Sequence, residues 1–69
     1  MKKNIAGRVL RRELAARGMN IQELAERTYY SPSYLYKVAA GEVPVSWNLA
    51  CALGKELGSS AEVWYRLGR

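Results

Sequence analysis

The sequence predicts an all-α domain built from five short helices. Apolar residues recur at intervals of three and four, which is the spacing of one helix face, and no alternating strand pattern is present. Glycines at positions 18, 41 and 58 divide the chain at intervals that suit short helices. With 69 residues, of which 49% are hydrophobic, residues 1–69 are expected to form a single globular domain.

The first predicted helix runs from about Ile5 to Arg17 and ends at Gly18. Its expected buried arc consists of Ile5, Val9, Leu10 and Leu14. Three cations project from the opposite side, namely Arg8, Arg11 and Arg12. Glu13 falls inside the apolar arc, where an ion pair with Arg17 one turn later would hold it at the rim.

Two short amphipathic helices follow over about residues 20–41, joined by a tight turn. Asn20 can cap the first, and Glu23 three residues later would complete a reciprocal capping box. Ser31 can cap the second, and Pro32 then takes the first helical position, where its missing N–H is harmless. The buried stripe of the two helices is expected to contain Leu24, Ala25, Leu35, Val38 and Ala39.

Four residues of the second of these helices lie outside the stripe: Ser33, Tyr34, Tyr36 and Lys37. A short helix that offers hydroxyls and a cation on a basic chain has the features of one that enters a DNA major groove. After a loop containing Pro44, the fourth helix is predicted over residues 47–57 and the fifth over residues 61–67. The fourth is capped by Ser46, and the fifth by Ser59 or Ser60. Their core residues are expected to be Trp47, Ala50, Leu53, Leu57, Val63, Trp64 and Leu67.

Composition excludes most catalytic chemistry. The chain has no histidine and one cysteine, Cys51, so Cys–His nucleophiles, Cys/His zinc sites and an intrachain disulfide are not expected. We therefore expect no enzyme activity and no cofactor. Cys51 stands between two alanines in the fourth helix and is expected to be a small, buried or half-buried apolar residue.

The net charge of +5 favours a polyanionic partner, either nucleic acid or an anionic membrane surface. No apolar run approaches the roughly 20 residues that span a bilayer, and the N-terminus lacks the apolar core of a signal peptide. These features predict a cytoplasmic protein. An alternative is that residues 2–17 form a helix at a membrane surface, but the helices that follow explain its apolar side better.

Three stretches of this chain resemble the lambda-repressor/Cro (Xre) family of helix-turn-helix proteins: residues 18–27, residues 31–41 and the fourth helix up to Gly58. The tail, residues 45–67, is similar to the branch that contains HigA-type antitoxins. The resemblance implies a five-helix lambda-repressor-like DNA-binding domain. It also implies that the recognition helix, about residues 32–40, lies in the major groove while the preceding helix crosses the DNA backbone.

The resemblance assigns candidate contacts residue by residue. The residues expected to contact bases are Pro32, Ser33, Tyr36 and Lys37. Those expected to contact phosphates in the motif are Asn20, Gln22, Ser31 and Tyr34. Arg8, Arg11 and Arg12, with Lys2 and Lys3 as a mobile arm, are not part of the resemblance and are expected to replace the phosphate-binding groups that this chain lacks. Two simpler alternatives stay open: the tyrosines pack at the protein surface, or the arginines form a solvated face.

The chain also departs from the family pattern. Ile21 stands where the family often has a phosphate-binding glutamine, and Glu42 where related proteins frequently have lysine. Tyr29 occupies the turn position that is often glycine, which predicts a wider turn, because a tyrosine with positive φ is strained. Ala39 and Leu14 replace a glutamate and an arginine that often pair, so we expect a repacked apolar contact.

The combined interpretation is a repressor-like transcriptional regulator that binds double-stranded DNA as a homodimer. One eight-residue helix reads only about three or four base pairs, so two copies on half-sites about 34 Å apart are expected. The last helix is predicted to supply dimer contacts through Trp64, Tyr65 and Leu67. The alternative is an antitoxin that binds a toxin protein and uses DNA binding to regulate its own operon.

Overall fold

The computed structural model describes residues 5–68, and this range contains five α-helices. They are α1 (Ala6–Arg17), α2 (Ile21–Thr28), α3 (Pro32–Ala39), α4 (Trp47–Leu57) and α5 (Ala61–Leu67). The all-α prediction is confirmed. The bounds of α4 and α5 are those predicted, and α1 begins one residue later than expected because Ile5 is its N-cap.

Each helix from α2 to α5 begins at a polar side chain that accepts a hydrogen bond from the backbone N–H three residues later. These caps are Asn20, Ser31, Ser46 and Ser60. The donor–acceptor distance is shortest at Asn20, 2.8 Å, and longest at Ser60, 3.3 Å. Ser60, and not Ser59, therefore opens α5. The Glu23 carboxylate, which was expected to complete the capping box, lies 3.7 Å from Arg27 Nη2.

One apolar core joins all five helices. Its largest fully buried side chain is Trp64, which is 1% exposed. The stripe predicted for α2 and α3 is buried at every position. Leu14 and Ala39 both belong to this core, so the expected apolar replacement of an ion pair is confirmed. Each fully buried leucine contributes about 1.5–3 kcal/mol relative to an exposed one.

Two residues expected in the core at the outer helices lie on the surface instead. Ile5 is 55% exposed and Val63 is 49% exposed. Ile5 precedes the first turn of α1, so it lies beyond the end of the buried arc. Val63 lies about 100° around α5 from Trp64, because successive helical residues are rotated by that angle. Only one side of such a short helix is covered by its neighbours.

A second pair of core predictions fails on α4. Trp47 is 51% exposed, and Cys51, one turn later on the same side, is also exposed. Trp47 is the first residue of α4. Its ring makes a T-shaped contact with that of Tyr65, with ring centroids 5.5 Å apart and an interplanar angle of 83°.

The turn between α2 and α3 is not wider than usual. Tyr29 adopts the left-handed conformation, with φ 63° and ψ 20°, that glycine commonly takes at this position. Its N–H donates to the Ala25 carbonyl oxygen at 2.9 Å, so the helix end is satisfied. The ring is 96% exposed. A left-handed L-residue costs roughly 1–2 kcal/mol, and this ring gains almost no packing in return.

The backbones of α1 and α3 approach each other closely at Gly7. A Cβ atom added there would overlap the Ala39 carbonyl oxygen and lie 2.7 Å from the Val38 carbonyl oxygen. Gly7 is buried and lies within α1, where alanine would otherwise be preferred. The glycine therefore lets the first turns of α1 press directly on the last turn of α3.

Arginine side chains connect α1 and α2 to α4. Arg17 pairs with Glu13, as predicted, and its Nη2 donates to the Leu57 carbonyl oxygen at 2.6 Å, at the C-terminal end of α4. A cation at that position also complements the helix dipole. Arg27 of α2 lies 3.8 Å from Glu56 of α4. These contacts place α1 and α2 against α4.

We predict that Tyr29→Gly stabilises the fold. Glycine adopts φ near 63° without strain, and the substitution removes a ring that packs on almost nothing. The expected gain is about 0.5–1 kcal/mol in the free energy of unfolding, after the greater flexibility of an unfolded glycine is subtracted. Chemical denaturation monitored by circular dichroism measures it.

The control is Gly18→Ala. Gly18 has φ 65° and no atom near its missing side chain, so this substitution introduces strain and nothing else. It should destabilise the fold by about 1 kcal/mol. Destabilisation by Tyr29→Gly would show that the tyrosine ring makes a stabilising contact.

We predict that Gly7→Ala destabilises the fold by about 1–3 kcal/mol, because the new methyl group overlaps the Ala39 carbonyl and forces α1 away from α3. Helix propensity alone gives the opposite sign, a gain of about 1 kcal/mol. The sign of the change in unfolding free energy therefore decides whether the close contact exists.

Candidate nucleic-acid interface

The outer face of α3 carries the side chains predicted to read DNA bases. Ser33, Tyr36 and Lys37 are exposed, and Pro32 is half-buried at the first helical position. Lys37 forms no ion pair with any carboxylate in residues 5–68. The opposite face of α3 is packed in the core, so these groups project from the exposed face of a packed helix.

The two capping residues of the motif keep donors available. Asn20 accepts a hydrogen bond from the Glu23 N–H through Oδ1, which leaves its NH2 group to donate outward. Ser31 accepts from the Tyr34 N–H at 3.2 Å through Oγ, so its hydroxyl proton is still available. Both residues are exposed, as is Gln22 in the first turn of α2.

The tyrosines of the motif have different environments. Tyr34 is half-buried and packs against the core, and its ring stacks on that of Tyr30 with centroids 5.6 Å apart. Tyr36 is 58% exposed. Surface packing, the simpler alternative considered above, therefore describes the ring of Tyr34 but not that of Tyr36.

The arginines of residues 5–68 divide into two groups. Three are paired with carboxylates, namely Arg17, Arg27 and Arg66. The other three, on α1, are exposed and form no ion pair in that range: Arg8, Arg11 and Arg12. Arg11 lies one turn after Gly7, on the side of α1 that approaches α3. Lys2 and Lys3, the predicted arm, lie outside the described residues.

The predicted dimer residues require one correction. Trp64 is 1% exposed, so its indole is covered by its own chain and is not available to a second copy. Tyr65 and Leu67 are half-buried and still reach the surface. Helical spacing in the sequence does not distinguish a tryptophan in the core from a tryptophan at an interface. Trp47 was also not predicted to be a dimer contact, although its exposed ring lies against Tyr65.

Residues 5–68 contain no group of three or more cysteine, aspartate or glutamate side chains placed to hold a metal ion. No helix in the same range combines the length and the hydropathy needed to cross a membrane.

Comparison with known families decides the assignment. A family model described as a helix-turn-helix domain matches residues 5–67. The chain belongs to this helix-turn-helix family. The resemblance inferred from the motif sequence is therefore confirmed, and the family is one of DNA-binding regulatory domains, not a known class of enzyme.

Solved structures agree with the family assignment. The clp gene regulator ClgR from Corynebacterium glutamicum is 31% identical, with a TM-score of 0.79 over 94% of this chain and 69% of that chain. PA4674 from Pseudomonas aeruginosa, solved in complex with its operator DNA, is 25% identical, with a TM-score of 0.86 over 99% of this chain and 74% of that chain.

An addiction module antidote protein of the HigA family from Coxiella burnetii is 23% identical, with a TM-score of 0.86 over 99% of this chain and 75% of that chain. At this identity the likeness shows a shared fold. No curated protein sequence matches the chain. The fold and the family together make this chain a DNA-binding helix-turn-helix domain of the transcription-regulator type.

Proposed function

We propose that the protein regulates transcription by binding a specific sequence in double-stranded DNA, with α3 in the major groove. The observation that carries the proposal is the contrast between the two sides of α3. Leu35 and Val38 are fully buried, whereas Ser33, Tyr36 and Lys37 are exposed. A major groove about 12 Å wide admits such a helix.

The exposed side chains suit base edges of different kinds. The Lys37 ammonium can donate to O6 and N7 of guanine, and the Ser33 hydroxyl can donate or accept. The Pro32 ring offers an apolar surface for a thymine methyl group, and the Tyr36 hydroxyl adds a further hydrogen-bonding group. Few of these contacts are bidentate, so each half-site would specify only a few base pairs.

The groups proposed to hold the phosphates surround this helix. The unpaired arginines of α1 supply charge, and the caps Asn20 and Ser31 supply hydrogen-bond donors, together with Gln22 and the Tyr34 hydroxyl. Glu42 and Ile21 replace groups that related proteins use for this purpose, so the arginines would carry most of the electrostatic attraction. This role makes affinity depend strongly on salt.

We further propose that the protein binds as a homodimer on a palindromic operator. An eight-residue α3 reads too few base pairs for useful specificity, and a two-fold axis doubles the number. Tyr65 and Leu67 at the surface of α5, with the exposed Trp47 beside Tyr65, are the proposed contact. The two recognition helices would then be about 34 Å apart, one turn of duplex DNA.

A second candidate function is that of an antitoxin. The similarity of the fold to the HigA-family antidote protein supports it at the level of fold alone. Co-expression with the product of a neighbouring gene, followed by size-exclusion chromatography, tests it. A stable complex that relieves growth inhibition would favour an antitoxin, and the absence of a toxic neighbour would reject it.

We predict that Lys37→Ala and Ser33→Ala relax sequence discrimination. Sequences bound by the wild-type protein are first recovered from a random DNA library. Each substitution should then reduce discrimination at one or two positions by about 1–3 kcal/mol, because a base-edge hydrogen bond is lost. Lys55→Ala is the matched control, since it removes an exposed lysine from α4. Unchanged selectivity in both α3 variants would contradict the assignment of α3 to the major groove.

We predict that Arg11→Ala weakens binding to all DNA sequences alike. The slope of log affinity against log salt concentration should become shallower by about 0.9 unit, because one phosphate contact is lost. Arg66→Ala is the control, since Arg66 is exposed but pairs with Glu62 at 3.3 Å. An equal effect of the two substitutions would mean that the α1 arginines form only a solvated face.

We predict a dimer in sedimentation velocity experiments without DNA, and two chains per palindromic duplex with it. The single thiol supplies a second readout, because Cys51 lies one turn from Trp47. Its alkylation by iodoacetamide should slow as protein concentration rises and the dimer forms. A monomer at all concentrations, with constant alkylation, would reject this interface.

A further inference from the structure

An open groove of about 520 Å³ lies between the outer side of α2 and the start of α3. Its walls include Gln22, Glu26, Tyr29, Tyr30 and Pro32. We call it the α2–α3 groove. It shares Gln22, Ser31 and Pro32 with the set of residues proposed to contact DNA. Nothing in the proposed DNA contacts uses Glu26 or Tyr29.

The left-handed backbone at Tyr29 sets the direction in which its side chain leaves the turn. Tyr29 has φ 63°, a conformation that L-residues rarely adopt, and its N–H is bonded to the Ala25 carbonyl oxygen. The ring is 96% exposed although it lines the groove, so it stabilises almost nothing within its own chain. The turn thus presents an aromatic face to solvent at one wall of the groove.

The charge of the groove is opposite to that of the protein. Four glutamates in residues 5–68 pair with arginines, namely Glu13, Glu23, Glu56 and Glu62. Glu26 is exposed and forms no such pair in this range, and it is a wall residue of the groove. In a chain of net charge +5, an unpaired carboxylate here repels a DNA phosphate and attracts a cation.

We propose that the α2–α3 groove binds an arginine side chain of a protein partner. The guanidinium would pair with the Glu26 carboxylate and stack on the Tyr29 ring, with the apolar stem of the side chain along Tyr30. Arginine fits better than lysine, because its planar guanidinium can stack on an aromatic face and pair with a carboxylate at the same time. Such a partner would stand beside the DNA that α3 contacts.

The test is a nuclear magnetic resonance titration of the full chain with two capped tripeptides. The probe has the sequence leucine–arginine–leucine, and the control replaces arginine by citrulline, which has the same shape without the charge. The arginine peptide is expected to shift the amide signals of Glu26, Tyr29 and Tyr30, with an affinity about two- to fivefold higher than that of the control.

Matched variants separate the two contacts. Glu26→Gln should reduce the affinity for the arginine peptide about two- to fivefold, whereas Glu42→Gln, which neutralises an unpaired carboxylate outside the groove, should not. Tyr29→Gly should reduce it by a similar factor, and Tyr29→Phe should retain it, because the ring and not the hydroxyl makes the contact. Tyr29→Gly is expected to be more stable than the wild type, so unfolding cannot explain a loss.

Three results would overturn the proposal: no shift at the groove up to the solubility limit, equal shifts from both peptides, or equal effects of Glu26→Gln and Glu42→Gln. DNA binding by Tyr29→Gly, measured in parallel, is expected to stay within about twofold of the wild type. A loss as large as that of Lys37→Ala would assign the groove to DNA and also overturn the proposal. Because peptide and DNA binding are separate measurements, this inference can fail while the proposed function stands.

Discussion

The position of α3, the proposed recognition helix, depends on the backbone contact between Gly7 of α1 and the last turn of α3. No side chain separates the two helices there, since a Cβ atom at Gly7 would overlap the Ala39 carbonyl oxygen. Leu35 and Val38, both fully buried, hold the rest of α3 against the core. A helix of eight residues is not stable alone, so its conformation is imposed by this packing. The packing of the buried face therefore sets the position of the exposed face of α3.

The arginines of residues 5–68 have two kinds of environment, which differ in whether a glutamate pairs with them. Arg17 and Arg27 pair with a glutamate four residues earlier and also reach α4, so they join helices. The arginines at positions 8, 11 and 12 form no ion pair with a glutamate in residues 5–68, so their charge stays available to a polyanion. Three unpaired positive charges of the described residues therefore lie together on α1.

Helix bounds could be predicted from the sequence because they depend on local chemistry. A polar side chain at Ser31, Ser46 or Ser60 binds a backbone N–H three residues away, whatever the rest of the fold does. Burial was less predictable, because it depends on which neighbours cover each side. Periodicity placed Trp47 and Ile5 in the core, but both lie at the starts of helices, where neighbouring elements leave about half of each side chain exposed.

The candidate site could be predicted only where it depends on local helical spacing. The outward residues of α3 follow from helical spacing, and the structure exposes Ser33 and Lys37 as expected. Steric arguments indicated that a left-handed Tyr29 would be strained and so predicted a wider turn. Only the tertiary structure shows that Tyr29 adopts the left-handed conformation in a turn of ordinary length. The α2–α3 groove has no sequence signal, since its walls come from two helices and a turn. Whether Trp64 faces a core or a partner was likewise not determined by spacing.

The two tryptophans occupy opposite environments. Trp64 is sealed in the core, and its Nε1 has no hydrogen-bond partner within residues 5–68, whereas half of Trp47 is open to solvent beside Tyr65. Their fluorescence should therefore differ in colour and in accessibility to a soluble quencher. Emission from Trp64 reports whether the chain is folded, and emission from Trp47 reports whether the N-terminal end of α4 is covered. One spectrum of the unlabelled protein thus follows folding and assembly separately.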